Sequence, residues 1–328
     1  MSDLESEENC GGKSATGSTD FHAELEAHRP ELVRHCYRMM GSLPDAEDVV
    51  QDVLLRAWQA RDSYVPKAPL LHWLMRIATN SCLKALASRA PRGLPQLDRL
   101  AFVDGSPLEM LERSSWVTPA PDTVLFPAPD RTAESRESVA IAFIALLQRL
   151  TPKQRASVLL KDVLGWSTED IAATLELTAS SVSNALHRAR ETLAAGSDRR
   201  SDEPRPHVIR EYVRAWEAHD LESLVSLLKK DVVLAMPPIA SWVQGADAVR
   251  RFLQLPRHEA FWSKGVLGTV TRANGLPGVA WYSPGADGVF RPHSLEVIRF
   301  DGELVAETIH FVGADYMRGF EVPRERRS

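Results

Sequence analysis

From Phe21 to about Arg92 apolar residues recur at helical spacing. Leu25, Leu32, Val33, Cys36, Tyr37 and Met40 form one stripe, and Gly41 stands where that helix would end. Ser42 is placed to cap the next helix, with Pro44 near its first turn and Asp45 at its third position. Over Asp45–Ala60, Ala46, Val49, Val50, Val53, Leu54, Ala57 and Trp58 share one face, while Glu47, Asp48, Gln51, Asp52 and Arg56 occupy the other. After a break at Ser63–Pro66, Leu70–Ser88 reads as a third helix. Its core positions are Leu71, Leu74, Ile77, Ala78, Leu83 and Leu86, and its other faces carry His72, Trp73, Arg76, Asn80 and Lys84. Periodicity then lapses over 93–130, rich in Pro, Asp and Ser, which reads as a linker. It resumes over Ala133–Leu150 and runs into Thr151-Pro152-Lys153-Gln154, where Thr caps, Pro takes the first position and Gln the third.

Thr168–Leu193 predicts two short helices joined by a tight turn. Ile171, Ala172 and Leu175 face inward in the first, with Ser167 at its cap and Asp170 three residues on. The turn is Glu176-Leu177-Thr178. A left-handed Glu176 there costs roughly 1 kcal/mol relative to Gly. The second helix buries Val182, Leu186 and Leu193 and presents Ser180, Ser183, Asn184, His187, Arg188 and Arg190, with no acidic residue from Leu177 through Arg190. Hydrogen-bonding tips and cations on one helix face are what a DNA major groove requires. An ordinary surface helix of a bundle would read the same way, so the pattern needs support from elsewhere.

Beyond Ala195 a charged, Pro-containing joint (197–206) leads to a different pattern. Val208–Ala218 and Leu221–Leu228 are amphipathic helices, Val232–Pro238 is a strand and Ala246–Leu253 a short helix. Gly265–Ala273, Val279–Tyr282, Ser294–Phe300 and Leu304–Phe311 then alternate as strands, the last two joined at Asp301-Gly302. Helices followed by a curved antiparallel sheet predict an α+β cone over 207–325.

Composition adds three constraints. The 328 residues allow two or three domains. A net charge of −5 argues against indiscriminate coating of DNA, and the distribution says more. Asp45–Asp62 is acid-rich, whereas Ser63–Leu97 lacks Asp and Glu but carries Lys67, Arg76, Lys84, Arg89 and Arg92, as if one small domain served two partners. Cys10, Cys36 and Cys82 are too scattered for a zinc site or a disulfide framework, and neither a membrane-spanning run nor a basic-then-apolar leader is evident. A cytoplasmic protein with no metal or cofactor is expected. Residues 1–20, nearly devoid of apolar positions, read as a disordered tail.

AEDVVQDVLLRAW (Ala46–Trp58) with LHWLMRIATNSCLKALASR (Leu71–Arg89) resembles region 2 of extracytoplasmic-function sigma factors. LTPKQRASVLLKDVLGWS (Leu150–Ser167) with the helix-turn-helix resembles region 4 of the same family, in the right order and across a linker. The resemblance implies two all-α domains, 21–92 and 131–196. It implies that Glu47, Asp48, Gln51, Asp52 and Arg56 dock on the β′ clamp of RNA polymerase core, with the β flap as further partner. Tyr64, Trp73, Arg76, Asn80 and Lys84 would hold the opened −10 element by stacking and charge. Ser180, Ser183, Asn184, His187 and Arg188 would read the −35 element, with Arg190 on a phosphate. The linker would thread the polymerase cleft. Its Trp116-Val117-Thr118-Pro119 resembles a Trp-x-x-Pro element of members with an added C-terminal domain, although a spacer with one apolar anchor would look alike.

AWEAHDLESLVSLLKKDVVLAMPP and EVIRFDGELVAETIHFVG resemble a SnoaL-like domain of the NTF2 superfamily. Lacking an Asp-Gly-Gly-Gly run, the chain is more similar to the actinobacterial SigG-like group than to the SigJ-like one. Trp216, Trp242, Trp281, Tyr282, Glu296 and His310 are the candidate cavity residues. One Glu and one His are too few for a catalytic assignment, so a solvent-facing Glu296 and a satisfied His310 are expected. The cone is read as regulatory, through a small-molecule ligand or by packing on the sigma domains. Two alternatives stand beside this reading. One is a ligand-sensing helix-turn-helix regulator independent of polymerase; the other is a SnoaL-type enzyme fused to a DNA-binding domain.

Overall fold

The computed structural model describes residues 15–64, 69–99, 101–102, 108–126, 140–194 and 202–327. Lys67 and Pro66, Cys10, the first part of the helix expected from Ala133, and half of the joint at 197–206 lie outside these. The first helix, α1 (Ala15–Ala27), starts before the boundary expected for the tail, which corrects that reading for 15–20. Once Leu25 is buried against its neighbours, adding a preceding turn costs little, because nucleation and not propagation is the unfavourable step.

Three further helices complete the first module: α2 (Arg29–Met40), α3 (Leu43–Gln59) and α4 (Leu70–Leu86). Gly41 ends α2 with φ of 67°, and the Ser42 hydroxyl accepts the Asp45 N–H at the start of α3. A short turn of helix follows at α5 (Pro95–Asp98), and another at α6 (Asp122–Leu125). The second helical module is α7 (Ile141–Gln148), α8 (Pro152–Val158), a π-helical turn over Leu159–Val163, α9 (Thr168–Leu175) and α10 (Ala179–Ala194). The Thr151–Gln154 capping box forms in both directions, and Glu176 adopts the left-handed conformation with φ of 53°.

The C-terminal domain begins with α11 (Pro206–Glu217) and α12 (Leu221–Ser226), followed by β1 (Leu228–Ala235) and β2 (Trp242–Gln244). Two helices, α13 (Ala246–Leu253) and α14 (Pro256–Trp262), carry the chain to the far edge. A meander of β3 (Leu267–Ala273), β4 (Leu276–Pro284), β5 (Phe290–Asp301) and β6 (Leu304–Val312) then returns. The sheet order is β2-β1-β6-β5-β4-β3. The expected antiparallel sheet is corrected at one pair, because β1 runs parallel to β6. The α13–α14 crossover reverses the edge from which the meander starts, so its last strand meets β1 in the same direction.

The linker is built into the fold. Trp116 is 1% exposed. Val117 N–H donates to Gly93 O at 3.1 Å and Thr118 N–H to Gly41 O at 3.0 Å, while the Thr118 hydroxyl accepts the Leu43 N–H at 2.9 Å. On the opposite side lies the β3–β4 turn. Asn274, 0% exposed and at φ of 57°, accepts Ala120 N–H at 2.9 Å and donates to the Tyr37 hydroxyl at 2.9 Å. Tyr37 in turn donates to Thr118 O at 2.7 Å. Asp122 accepts Gly275 N–H at 2.7 Å and pairs with Arg272 at 3.1 Å. Module one, linker and cone thus share one buried polar junction.

Arg155 ties the two helical modules together. Its guanidinium is 2% exposed and donates to Leu147 O (2.8 Å), Gln148 O (3.1 Å), Leu150 O (3.2 Å) and the carbonyl of Met39. Burial lowers its pKa to about 10, still protonated at neutral pH.

Asn274→Ala removes the acceptor of a buried N–H and leaves Ala in a left-handed turn. A loss of about 1–3 kcal/mol in chemical denaturation is expected. A change indistinguishable from zero would show that the junction does not hold the domains together.

Candidate nucleic-acid interface and C-terminal cavity

The two faces predicted on the first module are both present. On α3, Glu47, Asp48, Gln51, Asp52 and Arg56 are exposed, with Arg56 paired to Asp52 at 3.3 Å. Burial, with Asp48 beside it, raises the Glu47 carboxyl. Leu55 lies among them 56% exposed, an apolar position that periodicity did not single out.

On α4, Arg76, Asn80 and Lys84 are exposed and share one face, because their spacing approximates whole helical turns. Trp73 is half-buried, its ring 5.2 Å from that of Tyr64. All five residues expected at the opened strand are therefore neighbours, as two aromatic rings followed by a polar and cationic row. The preceding residue, His72, stacks on Trp166 of the second module at 3.7 Å and 7°.

On α10, Ser180, Ser183, Asn184, His187 and Arg188 are exposed while Val182 and Leu186 are buried. The Thr178 hydroxyl caps the helix by accepting the Ser181 N–H at 3.1 Å. His187 lies 3.4 Å from Glu191. Arg190 departs from expectation: its guanidinium grips Asp162 through two bonds, at 2.6 and 3.2 Å. In this conformation the exposed pair links α10 to the π-helical turn, and a phosphate would compete with the carboxylate for the cation.

In the cone, three of the six candidates line a cavity: Trp216, Trp281 and His310. Two do not. Trp242 lies on β2 and donates to Arg99 O at 2.9 Å, while Tyr282 points to the other side of the sheet, where it donates to Pro323 O at 2.8 Å. Neighbouring strand positions alternate faces, so Trp281 and Tyr282 could not both look inward. Glu296 is 0% exposed, which corrects the solvent-facing expectation. It accepts from Tyr212 (2.6 Å), Trp281 Nε1 (2.7 Å) and the Thr308 hydroxyl, and His310 Nε2 lies 3.0 Å away. Burial alone would raise this carboxyl. The facing His310 and the bonds from Thr308 and Tyr212 hold it below the usual range, yet His310 Nε2 itself is buried without a hydrogen bond of good geometry, which corrects the expectation of a satisfied His310. The carboxylate is therefore a fully engaged anchor that orients Trp281 and His310. Among the described residues, no group of three or more His, Cys, Asp or Glu is placed to hold a metal ion, and no helix is long and apolar enough to cross a membrane.

Three family models match in order along the chain: Sigma-70 region 2 over 25–92, Sigma-70 region 4 over 140–193 and a SnoaL-like domain over 209–266. The ECF RNA polymerase sigma factor SigG of Mycobacterium tuberculosis is 38% identical over 330 aligned residues, covering 96% of this chain and 88% of that one. SigJ of the same organism is 28% identical over 309 residues, covering 90% and 83%. The crystal structure of SigJ has the same fold, with a TM-score of 0.59, 23% identity and coverage of 92% of this chain and 99% of that one.

Asn184→Ala is expected to cost about 1–3 kcal/mol in binding to a cognate DNA site and to relax preference at one base pair. Arg190→Ala should change affinity by less than about twofold, since that cation is engaged with Asp162. Equal losses for the two, read by binding titrations on matched and substituted duplexes, would return Arg190 to the DNA face.

Proposed function

Because the chain belongs to the extracytoplasmic-function (ECF) family of RNA polymerase sigma factors, we propose that its two helical modules are held in a closed state by the C-terminal cone. As a sigma factor it binds core polymerase and directs promoter recognition and transcription initiation. On our reading the α3 face docks on the β′ clamp, with Leu55 as its apolar anchor. The Tyr64–Lys84 face holds the −10 strand and α10 reads the −35 element. The cytoplasm, where polymerase works, is the proposed location, and the cone carries no catalytic role because Glu296 is already occupied by its donors.

The observation that carries the closed-state reading is the His72–Trp166 stack at 3.7 Å. Elements 25 base pairs apart are roughly 85 Å apart along B-DNA at 3.4 Å per pair. Modules that touch through α4 and the segment leading into α9 cannot span that distance. They must separate, and the linker that would let them do so is pinned between α2 and the β3–β4 turn. Releasing the cone frees the linker, and that is the step proposed for regulation.

Transcription in vitro with core polymerase tests this by comparing the full chain with a version ending at Ala194. More promoter-dependent transcript from the shortened form is expected. If only the full chain is active, the cone is a working part of the holoenzyme and the restraint reading fails. Separately, changing Glu47, Asp48 and Asp52 together to Ala should weaken core binding about tenfold or more. Unchanged affinity would remove the clamp assignment.

A further inference from the structure

The cone contains a cavity of about 310 Å³, a size used by small-molecule sites. Its walls are aromatic. Trp216 lies 4.9 Å from Trp262 and 5.6 Å from Trp281, ring centre to ring centre, with Phe261 beside them. These rings are tilted at 50° and 52° and touch one another, so they form an aromatic wall against which a flat ring can lie.

Apart from Ser294, the polar side chains that line the cavity are all basic types. Arg257, His258, His293 and His310 line it, and none of the described lining residues is Asp or Glu. The one carboxylate nearby, Glu296, is fully engaged beneath His310. His258 Nε2 is buried and has no hydrogen-bond partner. Burial first, then Arg257 and His310, push the His258 pKa down to about 4, and burial with His310 lowers that of His293. Burial is the larger cause and repulsion from the neighbouring basic groups adds to it, with no anion among the described lining residues to offset either. A carboxylate among them would relieve the repulsion and give His258 Nε2 a partner, in charge-assisted bonds about twice as strong as neutral ones.

The rim is not made by the cone alone. Met110, from the linker, lines the cavity and is 68% exposed. The linker is stitched to the rim on both sides of it, by Leu111 N–H to Pro238 O at 3.0 Å and Ala240 N–H to Glu109 O at 2.8 Å. An occupant of the cavity would touch the segment that connects the two sigma modules.

We propose that this cavity binds a planar aromatic acid, rings against the indole wall and carboxylate toward Arg257 and the histidines, and that occupancy tightens the seam between linker and cone. The second half rests on the reading of the cone as a restraint. Bound acid gives Met110 apolar contact that it otherwise lacks, so it favours the closed state and lowers transcription by the full chain.

The test uses 2-naphthoate and its uncharged analogue 2-naphthamide, titrated into the full-length protein by tryptophan fluorescence and calorimetry at pH 7. Saturable binding of one acid per chain is expected, about tenfold or more tighter than the amide. The double variant Arg257→Gln/His258→Leu should bring acid and amide within about twofold of each other. Ile239→Trp, at the rim, should abolish binding of both, with circular dichroism confirming the fold of each variant. No saturable binding, equal affinity of acid and amide in the wild type, or binding unchanged in the double variant overturns the site. Amide hydrogen exchange then reads the seam: slower exchange at Leu111 and Ala240 on saturation is expected, and unchanged exchange overturns the coupling. Binding that slows exchange yet leaves the full chain's transcription unchanged keeps the site and defeats the restraint reading instead.

Discussion

A buried asparagine in a left-handed turn joins the three parts of this molecule. Asn274 has no solvent contact, and its side chain supplies both an acceptor for the linker at Ala120 and a donor to Tyr37 of the first module. Buried polar groups cost free energy unless they are paired, so each partner is committed to this geometry. Asn is among the few residues that tolerate such a backbone and also carry both hydrogen-bonding functions. From this point the linker runs to Thr118, which closes on Gly41 and Leu43, and to Asp122, which closes on Gly275 and Arg272. A segment that composition marks as a spacer is thereby part of the core.

The closed arrangement follows from that junction and from Arg155. One guanidinium satisfies carbonyls from both helical modules, so separating them would expose or strand several polar groups together. The faces expected to meet DNA and polymerase are nevertheless open, which distinguishes a block on spacing from a block on access. Region 2 keeps its cationic row exposed and region 4 keeps its recognition face exposed. What the closed state denies is their separation.

In the cone, the engaged Glu296 explains how charge can sit within an aromatic box. Three donors converge on it, and the histidine facing it forms one wall of the cavity. The remaining wall groups are basic or neutral, so the site is polarised toward one end.

The sequence by itself determined the helices of both sigma modules, their caps and the residues on their exposed faces. Local signals specify these: Gly41 and Ser42 at one boundary, Thr151 and Gln154 at another, and a 3.6-residue period between them. The left-handed Glu176 was legible for the same reason, since a two-helix turn of that length demands it. Strand facing was less legible. Trp281 and Tyr282 are adjacent aromatics of similar hydropathy, and only the register of β4 against β5 decided which one looks into the cavity. The use of the Asn274-Gly275 turn between β3 and β4 as a junction is specified by no local signal, because its partners Ala120 and Tyr37 lie far away in sequence. His258, His293 and Met110 are distant in sequence and acquire meaning only where the chain brings them to one rim. The pairing of Arg190 with Asp162, 28 residues away, was likewise decided by packing. Period and capping act over a few residues, whereas the assignment of a polar group to its partner depends on which elements meet, and that is settled by the tertiary structure.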